Sequence, residues 1–123
     1  MPEAISIQDS ILDSVKLGLD GIDPENTDFD DQLILYVNSM FRILYRIGVG
    51  IKGFRISDRT SVWSDFLEGQ EDVVKDIVPL YVALKVKYFW DPPTTGAATT
   101  ALKEMIDELE FTLNISVDPE EIF

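Results

Sequence analysis

Residues 28–48 read DFDDQLILYVNSMFRILYRIG, and the spacing within this stretch decides the fold class. Leu33, Val37, Met40, Leu44 and Ile47 recur at steps of four and three, which lays one apolar stripe along a helix. Asp28, Asp30 and Asp31 crowd its start, where the helix dipole favours negative charge, and Thr27 or Asp28 is placed to cap it. Arg42 and Arg46 fall near the other end, where the dipole favours cations, and Gly48 stops the helix. A helix with one apolar face must bury it against another element, so the flanking segments complete the assignment.

Upstream, Ile11, Leu12, Val15 and Leu19 keep helical spacing behind a loose capping box of Ser6 and Asp9. With Gly18 and Gly21 as stops, a helix is expected over about residues 7–17, followed by an acidic turn containing Pro24. Downstream, Gly48-Val49-Gly50-Ile51-Lys52-Gly53-Phe54 is a glycine-punctuated loop that leaves room for a small hairpin into Phe54-Arg55-Ile56. Residues 58–61 offer caps for one short helical turn carrying Val62, Trp63, Phe66 and Leu67, which Gly69 closes. Residues 71–90 read as the central buried helix, apolar on nearly every side from Ile77 onward and interrupted by Lys85 and Lys87.

Pro79 admits two placements in that helix. In the interior it would free the Lys75 carbonyl at a cost of about 3 kcal/mol; in the first turn of a helix beginning near Asp76 it would be tolerated. Asp91-Pro92-Pro93 ends the helix, because a residue before proline avoids helical angles. A last helix is expected from Thr95 or Gly96 to about Asn114, with Leu102, Met105, Ile106, Leu109 and Leu113 inward. Lys103, Glu104, Asp107, Glu108 and Glu110 would form its outer face.

The expected fold is therefore mainly α, a compact bundle of four main helices with a short extra helical turn. Residues 1–123 should form one domain with a mobile tail at 116–123. Its core should contain Leu33, Val37, Met40, Leu44, Trp63 and Phe66, packed against Tyr81, Leu84 and Tyr88 and closed by Leu102, Ile106 and Leu109.

Composition narrows the chemistry. The chain has neither cysteine nor histidine, which removes disulfides, thiolate zinc sites and the Ser-His and Cys-His nucleophile arrangements. The start of the chain lacks the basic and apolar regions of a signal peptide. The apolar run Ile77–Leu84 is far short of the ~20 residues that span a bilayer. A protein made in the cytoplasm, with no membrane association, is expected.

The net charge of −13 is uneven: residues 1–31 carry −8, residues 104–123 carry −7, and residues 32–103 carry +2. No cationic groove for nucleic-acid phosphates is evident. The acidic ends serve either to solubilise an apolar domain or to line a passage that DNA must traverse without sticking.

Each candidate for chemistry has a structural alternative. Gly48-x-Gly50-x-Lys52-Gly53 lacks the Gly-Lys-Ser/Thr of a phosphate loop and follows a helix rather than a strand. Asp28-x-Asp30-Asp31 begins like a calcium loop, but Leu33 stands at the glycine position and Ser39 at the bidentate glutamate position. Glu104, Asp107, Glu108 and Glu110 lie opposite an apolar stripe, so a solvated face explains them better than a glycosidase pair. Trp63, Tyr81, Tyr88, Phe89 and Trp90 read mostly as core aromatics rather than a stacking platform. No enzyme and no cofactor is expected.

Five segments, in order, resemble a family of small head–tail connector (adaptor) proteins of long-tailed phages of Gram-positive hosts. They are residues 10–16 (SILDSVK), residues 29–41 leading to Gly48-Val49-Gly50, and residues 61–67 (SVWSDFL); then residues 81–87 (YVALKVK) with Phe89 and Asp91-Pro92-Pro93, and residues 108–114 (ELEFTLN). Pro79 and the tail from Ile115 to Phe123 depart from that pattern.

The resemblance implies a structural virion protein at the head–tail interface. It would form a ring, commonly of twelve copies, beneath the portal, extending the DNA channel and docking the stopper or tail-completion protein. Duplex DNA would pass without sequence-specific binding.

Because many copies of a −13 chain repel one another, the near-neutral middle should make the contacts. Gly48, Val49, Gly50, Ile51, Lys52, Gly53 and Phe54 are the candidates for contact with portal or neighbour. Ile115, Val117, Ile122 and Phe123 are apolar residues in a segment too short for its own core and join them. The alternative is an acidic DNA mimic or inhibitor that occupies a nucleic-acid-binding partner.

Overall fold

The computed structural model describes residues 6–19, 22–23 and 25–117. Five helices lie among them: α1 (Ile11–Leu17), α2 (Asp30–Arg46), α3 (Trp63–Leu67), α4 (Asp72–Trp90) and α5 (Gly96–Val117). The expected all-helical bundle is what forms.

α4 is the hub and packs against each of the other four helices. Its composition dictates this, since Val74, Val78, Tyr81, Val82, Ala83 and Val86 are all buried and span more than one face. Trp90 stacks edge-on against Phe29 and Tyr36 at 5.6 and 5.8 Å, so the end of α4 lies beside the start of α2. After the Pro92-Pro93 break, α5 folds back along α4, where Tyr81 donates a hydrogen bond to Glu110 at 2.6 Å.

Several boundaries differ from the sequence expectation, each for a local reason. α1 begins at Ile11 rather than Ile7, because Ser6 and Asp9 close a turn of their own, with the Ser6 N–H donating to the Asp9 carboxylate at 2.9 Å. Ser10 caps the helix instead, accepting from the Asp13 N–H and holding an isolated bridge to Val62. α2 begins at Asp30 without a side-chain cap, so neither Thr27 nor Asp28 performs that role. Asp30 is instead held by Lys16 at 2.8 Å.

The Lys16 side chain, nearly fully buried, also donates to the Asn26 carbonyl at 2.8 Å. Two strong acceptors offset the cost of burying its ammonium, and the pair ties α1 to the start of α2.

Residues 58–61 do not cap α3; Asp58 binds Thr60, and the Val62 N–H donates to Asp65 at 3.0 Å. The Pro79 question resolves in favour of the interior, seven residues past the start of α4, where the ring is buried in the core. α5 runs through Val117, past the expected end at Asn114, so residues 116 and 117 belong to the helix rather than to a tail.

Of the expected core, Leu33, Val37, Met40, Leu44, Trp63, Phe66, Tyr81 and Ile106 are buried, while Leu84, Tyr88, Leu102 and Leu109 are half-buried against them. Met105 does not join the stripe and is 50% exposed, because Leu102, Ile106, Leu109 and Leu113 already complete an inward line. The Trp63 indole N–H is satisfied by the Ser14 hydroxyl at 3.1 Å.

Candidate docking surface

The loop that follows α2 is built by its glycines. Gly48, Gly50 and Gly53 all have positive φ, which breaks the extended run that a hairpin needs, and no strand forms among the described residues. The expected hairpin is therefore absent.

Gly50 is fixed by contact as well as by angle, because a Cβ there would fall 2.1 Å from the Phe66 ring. Phe66 belongs to a cluster with Phe41 and Phe54, its ring centroids 4.5 and 5.1 Å from theirs. Asn38 closes the loop at its far end: its amide donates to the Ile56 carbonyl at 3.0 Å and its carbonyl accepts from the Ile56 N–H at 2.8 Å. One side chain thus stands in for a strand partner.

This construction sorts the sequence candidates. Val49 is fully buried and Phe54 is half-buried on Phe41 and Phe66, so both serve the core. Ile51, Lys52 and Gly53 face outward, and Gly48 is exposed beside them. At the other end of the chain, Ile115 is half-buried on α5 and Val117 closes that helix, while Ile122 and Phe123 lie outside the described residues.

A wider feature surrounds the loop. Residues 32–57 contain four bases, Arg42, Arg46, Lys52 and Arg55, and no acid. All four are exposed, and none has an ion-pair or hydrogen-bond partner among the described residues. The C-terminal half of α2 and its loop are thus the cationic end of an acidic molecule, with Ile43, Tyr45 and Ile51 exposed among the charges. Helix spacing assigns Arg42 and Arg46 to the dipole alone; the signal for this surface is the acid-free run from 32 to 57.

α5 carries the contrasting face. Glu104 and Glu108 are exposed, and Asp107 pairs only with Lys103 on the same helix at 3.6 Å. Glu110 departs from the expected acidic face. It lies on the flank toward α4, where Tyr81 and Lys85 both reach it, the lysine at 3.4 Å. Burial and the adjacent carboxylate push the Tyr81 phenol well above its ordinary range. The cluster locks α5 to α4 and does not open onto a cleft.

A shallow trough of about 450 Å³ runs beside residues 69–73, lined by Gly69, Gln70, Glu71, Asp72 and Val73. It sets two carboxylates in solvent without a facing acid–base partner. No described helix is long and apolar enough to cross a membrane.

The family model for phage connector proteins matches residues 11–120. No curated protein and no solved structure matches the chain. An all-helical chain matched over nearly its whole length belongs to the phage connector family, a structural component of the virion at the head–tail connection whose partners are portal and tail components.

Proposed function

We propose that this chain is the adaptor of a long-tailed phage of a Gram-positive host. It acts as a single domain over residues 1–123. It assembles as a ring, commonly of twelve copies, beneath the portal, where it extends the DNA channel and presents a platform to the stopper or tail-completion protein.

The observation that carries this reading is the division of the surface. Exposed Asp23, Glu25, Asp28 and Asp31 form an acidic edge before and at the start of α2, while the opposite end of α2 and its loop are cationic. A passage for duplex DNA works with acidic or neutral walls, since rows of lysine and arginine would hold the phosphates. A docking surface needs the reverse: cations free of partners and apolar side chains in reach, as Ile51 and Lys52 supply. Ile115 and Val117, together with Ile122 and Phe123, add apolar contacts to the portal or to a neighbouring copy from the C-terminal end.

Charge reversal tests the division. Ile51→Asp with Lys52→Glu should weaken binding to the phage's portal roughly tenfold or more, equivalent to about 1.4 kcal/mol. Glu25→Lys with Asp28→Lys should leave it within about threefold. The opposite ranking would contradict the docking assignment and favour the acidic-mimic alternative, in which the carboxylates themselves are the contact surface.

A further inference from the structure

Two outward helix faces break the same local rule. On α2, Arg42 and Arg46 are like charges four residues apart, which is an unfavourable pair on an isolated helix, and neither has a partner. On α5, Glu104 and Glu108 repeat the arrangement with opposite sign and are equally unpaired. Among the described residues no opposite charge compensates either pair.

Each pair also sits beside a large exposed apolar side chain on its own face. Leu35, 69% exposed, lies seven residues before Arg42, and Phe111, 66% exposed, lies seven residues after Glu104. With the helices antiparallel both knobs fall at the same end of the charge pairs, Leu35 seven residues beyond the nearer arginine and Phe111 three beyond the nearer glutamate.

We propose that copies of this chain associate head to tail, with the α2 face of one copy seated on the α5 face of the next. At 1.5 Å rise per residue both charge pairs span about 6 Å, so setting Arg42 opposite Glu108 brings Arg46 opposite Glu104. In the same register Ser39 falls opposite Phe111 and Leu35 opposite Ile115, a small residue under a ring and an aliphatic against an aliphatic. The occupant is a second copy because a face complementary in sign and charge spacing, and likewise flanked by an exposed apolar side chain, is on this chain itself. Joining cation to anion also lowers the repulsion among copies that each carry −13.

The two faces belong to different helices, each turned away from α4, which packs against both. A contact between them is heterologous and leaves a free face at either end, so it propagates from copy to copy. The proposal names the self-contact of the connector reading and rests on that reading. The loop at Ile51 and Lys52 remains available to the portal.

The chain contains no cysteine, so introduced thiols report without background. The full-length variant Ser39→Cys with Phe111→Cys, concentrated and mildly oxidised, should give a ladder of dimers, trimers and higher species, whereas each single variant should stop at the dimer. Adding Arg42→Glu and Arg46→Glu should reduce the ladder at least tenfold. Mixing that protein with one carrying Glu104→Arg and Glu108→Arg should restore it, because the reversed faces complement each other.

Circular dichroism should be unchanged throughout, since every altered side chain is at least partly exposed. No ladder, dimers alone, or a ladder indifferent to charge reversal would overturn the proposal. So would loss of the ladder on adding duplex DNA with no loss on adding free acidic peptide, which would assign the arginines to phosphate. A chain that binds its portal yet gives no ladder loses this inference and keeps the connector role. A chain that ladders yet ignores the portal does the reverse.

Discussion

At the scale of single residues, Gly50 is the position where the fold has least tolerance. Its φ of +88° is strained for any side chain, and an added Cβ would strike the Phe66 ring at 2.1 Å. Gly53 has a similar φ of +74° but nothing within 4 Å. Gly50→Ala should therefore cost about 3 kcal/mol, from overpacking added to the left-handed penalty, while Gly53→Ala should cost about 1 kcal/mol. Urea midpoints at unchanged slope measure both, and equal losses would remove the Phe66 contact from the explanation.

Asn38 is the second such residue. Ile56 is almost fully buried, so Asn38→Ala strands its N–H and C=O and should cost about 2–3 kcal/mol. Amide exchange at Ile56 should rise with the loss; protection retained at Ile56 would mean that the loop is held by something else.

At the scale of elements, the α4–α5 pair is held by an apolar seam and by the cluster of Tyr81, Lys85 and Glu110. The folded state raises the phenol's pKa above its ordinary 10.0, so folding favours neutral tyrosine. That contribution is complete below pH 10.0 and is lost as pH rises above it. Stability should thus decline on the alkaline side. Tyr81→Phe, itself destabilised at neutral pH by about 1–2 kcal/mol for the lost bond to a charged acceptor, should show a flatter alkaline limb in denaturation against pH. An unchanged limb would assign the alkaline loss to other groups.

The same helices show what the sequence makes legible. Leu33, Val37, Met40 and Leu44 are legible because one stripe in a seventeen-residue helix has no competing arrangement. The boundaries of α1 and α2 are not, because Ser6, Asp9, Thr27 and Asp28 have capping chemistry that neighbouring turns can equally use. Pro79 was ambiguous because its cost in a helix interior depends on what packs around it, and α4 is surrounded. The loop candidates Ile51 and Lys52 are exposed as expected, but Val49 and Phe54 differ from them only through contacts with α2 and α3 that lie far along the chain.

At the scale of the whole molecule, the charge distribution has two roles that composition alone merges into one net value. Lys16 is consumed by the fold, buried against Asp30 and the Asn26 carbonyl, so the acidity of the N-terminal third is hardly relieved at the surface. The cations from Arg42 to Arg55, in an acid-free stretch, have no ion-pair partner among the described residues. The proposed function asks for protein contacts on some faces and passage of DNA along others, and a cationic end set apart from acidic surfaces is compatible with both demands.

The central claim, that the chain joins the portal as an oligomeric ring, is tested most directly by mixing the full-length protein with its phage's portal and examining the complex by native mass spectrometry and negative-stain imaging. The account predicts a portal capped by a closed ring of connector copies, with mass to match. A portal that remains bare at connector concentrations well above those in the mixture's assembled partners, or one that carries isolated copies without a ring, would contradict it.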